Sequence, residues 1–103
     1  MKYRNLDKVR FLLKEAAELD IMYAYDDLIF PEHGAFLIQY DDKNEHNYLC
    51  YFQKQCSEKD TTQLFSDLSR TFEDNDCNLI LKGLFEMHQN DEEIELVFSD
   101  FIM

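Results

Sequence analysis

The stretch from Leu28 to Gln53, LIFPEHGAFLIQYDDKNEHNYLCYFQ, constrains the fold more than any other part of the chain. It holds three apolar, aromatic-rich runs. Pro31-Glu32-His33-Gly34 divides the first from the second, and the polar segment Asp41 to Asn47 divides the second from the third. Short alternating runs bounded by turn residues are the pattern of strands joined by tight connections. Gly34 can supply the positive φ that such a turn needs. Phe36, Ile38 and Tyr40 share one face of the second run, with Ala35, Leu37 and Gln39 on the other. In the third run Tyr48, Cys50 and Phe52 face opposite to Leu49 and Tyr51. Both faces are largely apolar, as in central strands covered by helices on one side and by something else on the other, either a second copy of the chain or a partner.

The flanks supply the helices. From Asn5, a candidate N-cap, to about Leu19, the residues Leu6, Val9, Leu13, Ala16 and Ala17 recur at steps of three and four, predicting an amphipathic helix. A second helix is predicted from Ser57 to about Glu73, with Leu64, Phe65, Leu68 and Phe72 as its stripe and Ser57 or Asp60 as its cap. Ile21 to Phe30 alternates imperfectly around Asp26-Asp27, which suggests a bulge or an edge strand. Cys77 to His88 reads as a strand, with Leu79, Leu81, Phe85 and Met87 on one face and a bulge at Gly83. Ile94, Leu96 and Phe98 alternate in a last strand that Phe101 could extend. The expected architecture is one α+β domain over residues 1–103. It has an antiparallel sheet of about five strands and two helices, in the order α-β-β-β-α-β-β.

Charge is the other strong feature. The net charge is −12, and it is unevenly spread. Lys2, Arg4, Lys8, Arg10 and Lys14 against Asp7 give the first fourteen residues a net +4, leaving −16 on the rest. Both predicted helices carry their charges against the macrodipole: basic residues crowd the start of the first, and acids crowd the end of each. The basic start is expected to pair with the acidic body, and Lys2, Arg4 and Lys8 are the sole candidates for contact with phosphates. Elsewhere the charge repels nucleic acid and anionic membrane and attracts basic protein surfaces. The alternative role of the acidity is to keep a small protein soluble.

The residue types of known chemistries do not converge in the sequence. His46 with Cys50, and with Asp41 or Asp42, is the best local set for a metal, yet it has none of the spacings of zinc or calcium sites. Cys50 beside His33 or His46 would make a nucleophile–base pair, but acidic surroundings would raise its thiol pKa. With 22 acids, close carboxylate pairs arise by chance. Neither a cofactor nor an enzymatic activity is expected. Three cysteines without paired spacing, no apolar leader and no membrane-length run predict a reduced, cytoplasmic protein.

Protein binding remains. Four acidic clusters fall at turns and element ends: Asp26-Asp27; Asp41-Asp42 with Glu45; Glu73-Asp74 with Asp76; and Asp91-Glu92-Glu93 with Glu95. With Tyr40 and Tyr51 they form the expected partner-binding set, an aromatic centre with a charged rim. The leading expectation is a non-enzymatic inhibitor or regulator of a basic, nucleic-acid-handling protein such as a nuclease or nucleoprotein. Anti-CRISPR, anti-restriction and nuclease-immunity proteins are of this kind. The second expectation is a homodimeric adaptor: the element order is similar to that of small acidic type III secretion chaperones, which continue with a further helix not found here.

Overall fold

The computed structural model describes residues 6–25, 27–91 and 93–100. The elements, in chain order, are α1 (Leu6–Ala17), β1 (Ile21–Tyr25), β2 (Leu28–Pro31), a 3₁₀ turn (Glu32–Gly34), β3 (Phe36–Tyr40), β4 (Asn47–Gln53), α2 (Glu58–Asp74), β5 (Asn78–Asn90) and β6 (Glu93–Asp100). The strands form one sheet in the order β1-β2-β3-β4-β5-β6. The fold is α+β, as the patterning predicts, with two differences in the sheet.

The first difference is a sixth strand. Tyr25 pairs with Leu28, so the chain reverses between them, with Asp27 in the turn. Asp27 does not mark a bulge within one strand; it lies in the turn that divides Ile21–Phe30 into a hairpin. The bulge lies earlier, between Ile21 and Tyr23, and β1 is an edge strand. The second difference is that the sheet is mixed rather than antiparallel. β4 and β5 run parallel, with Asn47 opposite Asn78, because α2 carries the chain back to the starting end of β4. A helical crossover is the usual way to join parallel neighbours.

Capping and turn chemistry explain the helix limits. The Ser57 hydroxyl accepts a hydrogen bond from the Asp60 amide at 3.2 Å, capping α2. The expected cap of α1, Asn5, lies outside the described residues. Each helix exits through a left-handed residue that is not glycine: Glu18 (φ 56°) after α1 and Asp76 (φ 62°) after α2. The Cys77 amide then donates to the Phe72 carbonyl at 2.8 Å, satisfying a carbonyl of the last turn. Gly34 has φ 66°, as its turn requires, and the adjacent His33 is also left-handed at 72°.

Both helices cover the same face of the sheet. Val9, Leu12 and Leu13 of α1 and Leu68 and Phe72 of α2 are fully buried over Ile29, Phe36, Ile38, Cys50 and Phe52. The Phe72 ring meets Tyr48 edge-on at 5.5 Å, a favourable aromatic geometry. Tyr40 belongs to this face, its ring 6.0 Å from that of Tyr48. A bulge in β5 changes the expected face of two residues. Cys50 pairs with Leu81 but Tyr51 with Gly83, so Lys82 is the extra residue. An inserted residue inverts the alternation beyond it. Leu79 and Leu81 therefore face the helices, whereas Phe85 and Met87 face the opposite way.

The packing predicts a sharp contrast under chemical denaturation. Phe72→Ala should cost about 3–5 kcal/mol by opening a cavity beneath α2. Tyr25→Ser, on the uncovered edge, should change stability by less than about 0.5 kcal/mol.

Candidate partner-binding surface

The face without helices is also apolar. Residues opposite one another across a ladder share a face. The pairings Leu28–Gln39–Leu49–Ile80, Leu37–Tyr51 and Gln53–Phe85–Phe98 therefore place all these side chains on it, joined by Phe30, Met87 and Leu96. The β1 bulge brings Met22 onto the side of Tyr23 and Tyr25, since all three line one groove. The groove, about 510 Å³ in volume, lies between these residues with Phe30 on one side and Phe85, Met87 and Leu96 on the other. Phe85, one of its lining residues, is buried, as is Leu37 on the same face. Its walls are open: Met22 is 75% exposed, Tyr25 64%, Tyr23 57% and Met87 51%. Aromatic pairs stiffen the surface, with Tyr23 5.6 Å from Phe30 and Tyr51 4.7 Å from Phe98 between ring centres.

One polar chain crosses this apolar face. The Tyr51 hydroxyl donates to Gln39 Oε1 at 3.2 Å, and Gln39 Nε2 donates to Asp27 Oδ2 at 2.8 Å. The half-buried Asp27 carboxylate is thereby held at the border between the face and the end of the sheet. Of the two tyrosines singled out from sequence, Tyr51 stands on the open face and Tyr40 on the covered one.

Topology gathers three of the four acidic clusters at one end of the sheet. The β1–β2 turn, the β3–β4 loop and the exit of α2 all lie there, because β2 begins where β3 ends and β4 begins beside β5. The Tyr40 amide bonds to the Asp27 carbonyl at 3.0 Å, and the Asn78 amide to the His46 carbonyl at 2.9 Å, tying the three connections together. Some of these acids also shape the chain. Asp41 accepts from the Lys43 amide, and Asp76 takes the left-handed turn. Glu45, Glu73 and Asp74 are exposed, with His46 Nε2 3.8 Å from Glu45. Asp42 is exposed beside them. The fourth cluster lies apart, at the tip of the β5–β6 hairpin, where Asp91 is left-handed (φ 54°) and Glu93 and Glu95 are exposed. Asp26, Glu92, Lys2 and Arg4 lie outside the described residues.

Lys14 of the basic helix reaches Asp20 beyond the helix at 3.2 Å, whereas Arg10 pairs within the helix itself, with Asp7 at 2.7 Å. Cys50 is fully buried on the helix face, and that burial pushes its thiol well above the usual range. His33 and His46 are exposed on their loops. Among the described residues no group of three or more His, Cys, Asp or Glu side chains is placed to hold a metal ion. No helix among them is long and apolar enough to cross a membrane. Comparison of the chain with protein-family models, with curated proteins and with solved structures finds no match in any of the three.

Two titration outcomes follow from the burial pattern. Burial, reinforced by Cys77, Tyr40 and Glu45, raises the Tyr48 phenol to about 12. A raised folded-state value means the neutral phenol is the form the fold favours. Its contribution is complete below about pH 10, where the unfolded chain also keeps the proton, and is lost as pH rises towards 12. Absorbance titration should show Tyr48 ionising late, together with loss of the near-ultraviolet circular dichroism. Iodoacetamide applied to the native protein should modify Cys56 first, with Cys50 and Cys77 modified only on unfolding.

Proposed function

We propose that the protein is a non-catalytic binding module. It presents the acidic end of its sheet and the adjoining open face to a basic protein surface, inhibiting or regulating a partner that handles nucleic acid. Anti-CRISPR, anti-restriction and nuclease-immunity proteins work in this manner. The observation that carries the reading is the convergence of three acidic clusters, distant in sequence, at one end of a rigid sheet beside an apolar face. Carboxylates held there raise the encounter rate with a cationic groove and compete with phosphates for the same lysines and arginines. The apolar face then supplies the short-range contact that charge alone does not.

The placement of Glu73 and Asp74 supports this reading. They occupy the last turn of α2, where the macrodipole disfavours negative charge. No base occupies that turn. Stability alone would favour the amides there. A second reading, a homodimeric adaptor, draws support from the uncovered face and is distinguished by sedimentation: a tight dimer favours it, a monomer favours the inhibitor.

Affinity capture from host lysate at low salt, followed by a salt gradient, provides the test. The triple variant Glu45→Gln, Glu73→Gln, Asp74→Asn should associate with the captured partner about tenfold more slowly at low salt. Its folding stability should rise by about 0.3–1 kcal/mol as the dipole conflict is relieved. Unchanged association would count decisively against the proposal.

A further inference from the structure

The groove lies alongside a sheet edge of unusual composition. The two edges of the sheet are β1 and β6. β6 carries Glu93 and Glu95 within its length, whereas β1 is Ile-Met-Tyr-Ala-Tyr, without a charge, and four of its five residues are exposed. Charged edge residues are a common defence against strand addition, and β1 lacks them. Its bulge disturbs only the Ile21–Tyr23 end, leaving Tyr23 to Tyr25 in regular pairing. Carboxylates flank this bare strand in sequence: Glu15 and Glu18, both exposed, and Asp20, paired with Lys14, precede it, and Asp27, bonded to Gln39, follows it. Asp20 is further fixed to the 3₁₀ turn after β2, its amide donating to Glu32 Oε1 at 2.8 Å.

We infer that β1 and the groove together receive an extended segment of the basic partner, one that alternates apolar and cationic residues and adds to the sheet as a seventh strand beside β1. This rests on the reading of a basic protein partner and specifies the form in which that partner is held. A strand added at this edge sends alternate side chains to opposite faces. One row enters the groove against Met22, Tyr23 and Tyr25, opposed across it by Phe85, Met87 and Leu96. The other row turns to the helix side of the sheet, where the net charge of −12 favours cationic side chains. Main-chain hydrogen bonds give such an addition its affinity, and the alternate pockets give it its sequence preference. The charge argues against a second copy as the occupant, since each copy brings −12 to the contact.

Three synthetic ten-residue peptides test this on the full chain: one alternating valine and lysine, one of the same composition with the valines and lysines in two blocks, and one alternating valine and glutamate. The alternating lysine peptide should bind at least tenfold more tightly than the blocked one, and the glutamate peptide should not bind. Amides of Tyr23 to Tyr25 should gain hydrogen-exchange protection in the complex. Tyr25→Lys on the edge and Met87→Lys on the far wall, both at exposed positions, should each weaken binding about tenfold, while Val97→Lys, on the other side of β6, should not. Circular dichroism of each variant confirms that it is folded. Equal binding of the alternating and blocked peptides, or binding that leaves the β1 amides unprotected, would overturn the strand addition while leaving the acidic-module proposal standing. Absence of binding by the alternating lysine peptide, or self-association of the chain through β1, would also overturn it.

Discussion

The structure depends on burial at a single interface, where two helices cover one face of a six-stranded sheet. Every fully buried helix residue points into that interface, and the sheet contributes Ile29, Phe36, Ile38, Cys50 and Phe52 to it. A chain of this length buries only about two-thirds of the surface it exposes when unfolded. Both helices are committed to one side. The opposite face consequently keeps its apolar side chains near solvent, protected only where the sheet and its aromatic pairs shield residues such as Leu37 and Phe85. The open face is thus a direct consequence of how few elements the chain has to cover it.

The charges add a second constraint. Turns that would ordinarily fall to glycine are made by acids, at Glu18, Asp76 and Asp91, in a chain with only two glycines. Aspartate tolerates the left-handed region better than most residues. Part of the acidity is therefore structural: Asp41 holds a loop amide and Asp76 ends a helix. Glu73 and Asp74 differ, because they oppose the field of α2. Both lie at the end of the sheet that also carries the β3–β4 loop.

Much of this was legible in the sequence. The Phe36–Tyr40 and Tyr48–Phe52 faces, the Ser57 cap, the Gly34 turn, both helices and the bulge near Gly83 follow from periodicity and turn chemistry, which are local. The parallel pairing of β4 with β5 was not legible, because register between distant segments is set by packing beneath α2 rather than by either segment. Periodicity puts Phe85 and Met87 on the wrong face for a related reason: Gly83 signals the bulge, but one inserted residue inverts every later side chain. In sequence Asp26-Asp27 reads as an interruption because two carboxylates suit an edge and a turn equally well. The acidic clusters were visible as runs of charge. Their convergence at one end was not, since it arises from the strand order. The groove gave one faint signal, the uncharged exposed edge Ile21–Tyr25, whose bulge re-aims Met22.

The central claim is that the acidic end and the open face, not the helices, meet a basic partner. Its most direct test is a residue-resolved footprint of the complex by hydroxyl-radical labelling. The account predicts protection of Tyr23, Tyr25, Met87 and the segment 41–46, with Phe11 of α1 labelled equally in the free and bound states. Protection centred on the outer surfaces of α1 and α2, with the open face still reactive, would contradict it.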